Sequence, residues 1–206
     1  MSFEPFTVIS GPAIPLLRSN VDTDVIIRIE RMTALPPQEW GRWALEPLRY
    51  RFDGSLDPGS ILNQPRFAGA PVLLAGPNFG CGSSREPAVT ALQGLGLRCV
   101  IAPSFGDIFF ANCFQNGLLP ICLPLPQVEA LAELCSAGAP VTVDLQRRLV
   151  LASDGTAFAF EVDATRREAL LKGFDDIELT LQDEALISAW QRADRLRRPW
   201  AWCRRS

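Results

Sequence analysis

An α/β fold with a parallel core is predicted by two observations. Short apolar runs at 71–75, 98–103 and 118–123 alternate with stretches of helical periodicity at 86–95, 105–114 and 128–136, the pattern of successive βαβ units. A glycine-rich loop, Gly76 to Arg85, closes the first of these strands and opens a helix. In an open parallel sheet a site belongs at the carboxyl ends of the strands, where such a loop sits.

The remaining elements follow in order. Residues 3–9 alternate as a strand would, and Gly11-Pro12 reads as a turn towards the apolar 14–17. Asp22-Thr23-Asp24 has the composition of a helix cap or turn and precedes a short buried run at 25–27. The charges of Arg28, Glu30 and Arg31 fit a solvated turn. Residues 36–70 form an insertion-like loop region, rich in Pro, Gly, Trp and Arg, with turn signals at Asp53-Gly54 and Asp57-Pro58-Gly59. Within it Trp40, Trp43 and Leu48 have the spacing of one short helix face, and the region is expected near a partner or the mouth of the site. After the parallel units, 141–145, 149–152 and 157–162 read as antiparallel strands, with Asp154-Gly155 as a turn. Helices are expected at 164–172 and 184–195. One domain is expected over 1–190, followed by a basic Trp/Arg-rich tail at 191–206 that frays or packs on a partner.

Composition narrows the function. The chain has 206 residues, 48% hydrophobic, which supports a sizeable core, and a formal net charge of −3, which argues against a general nucleic-acid binder. No apolar run reaches membrane-spanning length and the first residues lack the features of a signal peptide. A cytoplasmic protein, binding neither nucleic acid nor membrane, is expected. The six cysteines at 81, 99, 113, 122, 135 and 203 have no Cys-x-x-Cys spacing, so no metal site is expected on this chain. There is no histidine, which removes His-based triads and His general bases.

The loop itself carries anion chemistry. Gly80 and Gly82 permit close backbone approach, the helix start offers free N–H groups and a positive dipole end, and Arg85 adds a planar fork for a carboxylate or phosphate. Ser83 and Ser84 place hydroxyls inside this site, while Cys81 reads as structural because no base accompanies it. Arg85 stands where a dinucleotide fingerprint needs its third glycine, no Gly-Lys-Ser/Thr occurs, and a nucleophile elbow would need the missing histidine.

The stretch Asn78-Phe79-Gly80-Cys81-Gly82-Ser83-Ser84-Arg85-Glu86 resembles the signature of the small subunits of 3-isopropylmalate dehydratase, in the aconitase superfamily. Asn20 to Ile27, Val100 to Phe109, and Asn112 with Asn116 to Pro120 match in the same order, so the resemblance covers about residues 3–190. It implies a layered β/β/α swivelling domain. It implies dehydration and rehydration that interconvert 2- and 3-isopropylmalate in leucine biosynthesis, performed only with a large subunit that carries a 4Fe–4S cluster. No cofactor is expected on this chain. Ser83 would be the catalytic base, with Ser84 and Arg85 holding the substrate carboxylate, Asp24 lying in the site, and Gly80, Cys81, Gly82 and Glu86 shaping the loop.

Two departures bear on the substrate. Pro87 stands where the resembled family usually has a histidine after Glu86, and Arg28 to Thr33 departs from its pattern in the segment that the resemblance implies recognises the variable end of the substrate. Arg28 and Arg31 are therefore candidate substrate contacts. Alternatives are the same chemistry on another C4–C6 hydroxy di- or tricarboxylate, of dimethylmalate, citraconate or homoaconitate type, and a non-catalytic anion-binding module.

Overall fold

The computed structural model describes residues 3–83 and 85–202, so Ser84 and residues 203–206 lie outside the described chain. The fold is arranged around β1, Val8–Leu16. The other strands are β2 (Val72–Ala75), β3 (Cys99–Ala102), β4 (Leu119–Cys122), β5 (Pro140–Asp144), β6 (Leu149–Ala152) and β7 (Ala157–Ala159). They form one sheet of seven strands in the order β4-β3-β2-β1-β5-β6-β7. β1 serves two partners in succession. Its first half, Val8 to Pro12, runs antiparallel to β5, and its second half, Ala13 to Leu16, runs parallel to β2. The sheet thus joins a parallel half, β1 to β4, to an antiparallel half, β5 to β7.

Both faces of the parallel half are covered, which explains its unbroken apolar runs. Val72, Leu74, Cys99, Ile101, Leu119 and Ile121 face one core, shared with Val128 and Leu131 of α7 (Leu125–Cys135) and with the antiparallel strands. The alternate residues Leu73, Ala75, Val100 and Ala102 face a second core. That core is closed by Ala88, Val89 and Leu92 of α5 (Glu86–Gly94) and by Phe109 and Cys113 of α6 (Asp107–Gln115). Each side chain of this size removed from water contributes about 1.5–3 kcal/mol, so the period-two split commits the register of every parallel strand.

The structure corrects several expectations. Residues 3–9 are not the first strand. Phe3 N–H donates to Gly173 O (3.1 Å) and Phe6 N–H to Leu170 O (2.8 Å), tying the terminus to α8 (Ala164–Lys172), and the strand begins at Val8. Gly11-Pro12 makes no turn; Pro12 lies in mid-strand opposite Pro140, where β1 changes partner. There a missing N–H costs little, because pairing lapses on one side as it begins on the other. The run at 25–27 enters α1 (Thr23–Ile26), since the Asp22 carboxylate accepts from Val25 N–H at 2.7 Å and starts a helix.

Residues 28–34 form α2 (Ile29–Ala34), not a turn. Between α3 (Trp40–Trp43) and α4 (Glu46–Arg49), Leu45 takes φ +56°, so Trp40, Trp43 and Leu48 do not share one helix. The third antiparallel strand stops at Ala159. A capping box between Asp175 and Glu178 starts α9 (Asp176–Leu181), a helix the sequence reading omitted. α10 (Glu184–Arg197) runs through the expected tail boundary at 190–191. Asp194 then accepts from Arg198 (2.8 and 2.9 Å) and from Trp202 Nε1 (2.9 Å). Among the described residues no helix is long and apolar enough to cross a membrane.

Candidate functional site

Three segments that follow the parallel strands β1, β2 and β3 meet at one end of the sheet: residues 20–24, 76–85 and 104–107. Their backbones are stitched together. Asn20 N–H donates to Pro77 O (2.9 Å), Gly80 N–H to Val21 O (2.7 Å), and Thr23 N–H to Cys81 O (2.9 Å). On the other side Phe79 N–H donates to Ser104 O (3.1 Å) and Gly106 N–H to Phe79 O (2.9 Å). Side chains reinforce the seam. Asn78 Nδ2 donates to Asn20 Oδ1 (2.8 Å), and its backbone N–H to Ser104 Oγ (2.9 Å). The glycine loop is thereby a fixed cradle.

Gly80 is required for that cradle. It has φ +72°, and a Cβ there would overlap the ring of Phe109. Phe79, fully buried, packs edge-on against Phe109 at 5.6 Å between ring centres, so the loop is nailed into the second core directly behind its exposed part. Gly82 and Ser83, in front, are exposed. Cys81 is half-buried in the seam beside Asp22.

Thr23, buried, joins the catalytic candidates: its hydroxyl donates to the backbone carbonyl of Ser83 at 3.2 Å. Asp24 forms an ion pair with Arg85, whose side chain is mostly covered while that of Asp24 is open to solvent. Arg85 is the residue before α5, at the positive end of its dipole; in the first turn Pro87 has no N–H and Ala88 N–H donates to Arg85 O (3.2 Å), which leaves the N–H of Glu86. Pro87 sits in that turn, where its missing N–H has no helical partner to lose. Glu86, exposed, occupies the same turn. Ser84 lies outside the described residues. The structure thus brings together Asp24, Gly80, Cys81, Gly82, Ser83, Arg85 and Glu86.

Arg28 and Arg31 part company. Arg28 lines a cleft of ≈ 350 Å³ together with Asp22, Asp24, Ile29 and Pro47, and pairs loosely with Glu30 at 3.4 Å. Arg31 turns away. It grips Glu46 with both prongs of its fork (2.7 and 3.0 Å) and lies 3.6 Å over the ring of Trp43. The hydrogen bonds that Arg31 donates to Glu46 raise its pKa further and bind α2 to α4, while the Trp43 contact binds it to α3. Reading the sequence missed Thr23, Asn20 and Ser104 as loop holders, although all three lie in the stretches that carried the resemblance.

Burial pushes the Cys99 and Cys113 thiols well up, the latter also through Cys99, and raises Cys135 to about 11. These are protonated core groups, unsuited as metal ligands. Among the described residues no three His, Cys, Asp or Glu side chains are grouped to hold a metal ion, and the donors present do not fit an iron–sulfur cluster.

Comparison with known proteins gives the family. The family model described as Aconitase C-terminal domain matches residues 3–126, and a second, LeuD_N, matches 129–164. A 3-isopropylmalate dehydratase small subunit from Paramagnetospirillum magneticum is 47% identical over 199 residues, 96% of this chain and 99% of that one. One from Cupriavidus necator is 48% identical over 202 residues, with 96% and 97% covered. The crystal structure of 3-isopropylmalate dehydratase from Methanocaldococcus jannaschii superposes with a TM-score of 0.64 at 28% identity, covering 89% of this chain and 99% of that chain.

Proposed function

Because the chain belongs to the aconitase C-terminal domain family, among the small subunits of 3-isopropylmalate dehydratase, we propose that the cradle at 76–85 is its half of an isopropylmalate isomerase site in leucine biosynthesis. The observation that carries this reading is the placing of exposed Ser83 beside Arg85 at the start of α5, with Asp24 and Thr23 holding both from the neighbouring strand end.

In this reading the substrate carboxylate docks on Arg85 and the N–H of Glu86 at the positive end of α5. Ser83 Oγ takes the proton from the carbon next to that carboxylate. The pair of electrons left behind forms the double bond as the hydroxyl departs, and water returns with hydrogen and hydroxyl exchanged. A serine alkoxide is normally inaccessible, and here it depends on the helix end and the guanidinium. Asp24 keeps the Arg85 fork oriented until substrate arrives and is displaced by the substrate carboxylate. The hydroxyl needs a Lewis acid, for which the described residues group no donors; the large subunit, with the 4Fe–4S cluster the resemblance implies, would be its source. Closure of that subunit over the cradle would supply the dry surroundings that an exposed Ser83 needs.

Arg31 is committed to Glu46 and Trp43, which leaves Arg28, Ile29 and Pro47 to meet the distal group of the substrate. Ile29 and Pro47 offer an apolar wall to an isopropyl group, the feature that favours isopropylmalate over a tricarboxylate. The test is reconstitution with the cognate large subunit and assay against isopropylmalate, dimethylmalate, citraconate hydration and homoaconitate. Turnover of isopropylmalate at the highest kcat/KM, with iron and sulfide recovered only in the large subunit, is expected. A complex that prefers a tricarboxylate, or iron and sulfide in the lone chain, would overturn the reading.

A further inference from the structure

The turn at residues 50–57 carries a large apolar side chain where the fold has no use for it. Phe52 is fully exposed, and Leu56 beside it is half-exposed. The turn that presents them is rigid. Tyr50 and Leu56 pair across it, Arg51 N–H donates to Ser55 O (2.8 Å), and Gly54 N–H to Arg51 O (3.0 Å). The Asp53 carboxylate accepts from both the N–H (2.9 Å) and the hydroxyl (2.6 Å) of Ser55. Gly54 has φ +80°, which most side chains would oppose. Behind the turn, Tyr50 stacks on Trp43 at 5.2 Å and its hydroxyl donates to Arg42 O at 3.0 Å. Trp43 is in turn clamped by Arg31.

Its position matters as much as its rigidity. Phe52 borders a groove of ≈ 460 Å³ with Arg28, Trp43, Pro47 and Tyr50. Arg28 and Pro47 also line the cleft that holds Asp24. The groove is therefore continuous with the mouth of the candidate site. Its charges are answered within the chain, Arg28 by Glu30 at 3.4 Å, Arg31 by Glu46 and Arg51 by Asp57 at 3.3 Å, so it offers shape and apolar area more than net charge. A fully exposed aromatic ring on a hydrogen-bonded turn, beside a site that needs a covering subunit, has the character of an interface anchor.

We propose that the 50–57 turn is a docking knob for the large subunit, with Phe52 seated in an uncharged apolar pocket at the rim of the shared site. This rests on the reading of the chain as a dehydratase small subunit. A second copy of this chain is the competing occupant, and the test separates the two.

The experiment measures the Kd of the cognate large subunit for the wild-type chain, Phe52→Ala and Phe52→Leu, with turnover at saturating large subunit. Because the ring is fully exposed, both variants should melt with the wild type. Phe52→Ala should raise Kd roughly ten- to a hundredfold, Phe52→Leu should recover part of the loss, and kcat of the saturated complexes should stay at the wild-type value. An unchanged Kd for Phe52→Ala beside an active wild-type complex overturns the knob and leaves the functional reading standing. So does loss of self-association in sedimentation with the large-subunit Kd unmoved. A wild-type chain that neither binds the large subunit nor supports turnover overturns both.

Discussion

Ser83 and Arg85 share a helix start, yet their removal should read out differently. Ser83→Ala deletes the group assigned to take the proton; turnover and exchange of the substrate carbon-bound hydrogen should fall about 10²–10⁴-fold, with binding to the large subunit unchanged. Near-normal exchange in that complex would remove Ser83 as the base. Arg85→Lys keeps the charge but cannot make the two-pronged contact to a carboxylate, and its effect should fall mainly on KM. The glycine, serine and arginine roles were legible locally, since all lie within one loop. Thr23 was not, because its contact to Ser83 crosses from the end of one strand to the end of the next. A hydroxyl that serves a backbone carbonyl sixty positions away leaves no local pattern.

Among elements, α2 illustrates how one ion pair changes a reading. Arg28 and Arg31 are three apart on a short helix, yet only Arg28 faces the cleft, because Glu46 and Trp43 claim Arg31. Arg31→Ala should therefore lower stability by about 1–2 kcal/mol, the combined scale of a partly exposed bidentate pair and a cation–π contact, and reduce kcat/KM for isopropylmalate and a tricarboxylate by the same factor. Arg28→Ala should leave the melting temperature alone and change that ratio. Equal ratios in both variants would free this segment of any part in specificity. The second helical feature is the clip between α10 and residues 199–202. Hydrogen bonds from Arg198 and then Trp202 hold the Asp194 carboxyl below the ordinary aspartate value of 3.8. A lowered folded-state pKa stabilises above the unfolded value and is lost as pH falls through the folded one. Amide protection relative to intrinsic exchange at residues 198 and 200–202 should thus be high at neutral pH, fall below about pH 4, and be low at all pH in Asp194→Asn.

At the scale of the whole molecule, the parallel half was readable from its continuous apolar runs, and α8 from its pattern, whose bounds the structure repeats. β1 was displaced because Gly11-Pro12 read as a turn, while the structure uses Pro12 where the strand exchanges neighbours. α9 escaped notice because its start is set by a capping box rather than by apolar periodicity. Neither feature can be weighed without knowing what lies beside it.

The exchange of partners along β1 also fixes the order in which the chain can become a protein. Val8 opens β1, but its partner Asp144 closes β5, one of the last strands to be synthesised. Until β5 has emerged, the first half of β1 is an open sheet edge, the kind of surface that recruits other chains. The two family matches, 3–126 and 129–164, divide within the first turn of α7, yet neither part has a finished sheet. A chain ended after residue 126 should accumulate in aggregates even though it contains the complete catalytic cradle, and adding residues 127–202 as a separate fragment should restore solubility. Contacts that span so much of the sequence also make folding slow, in the millisecond-to-second range. The cradle can be assembled early, but it is held in solution only once the distant strand arrives to cover β1.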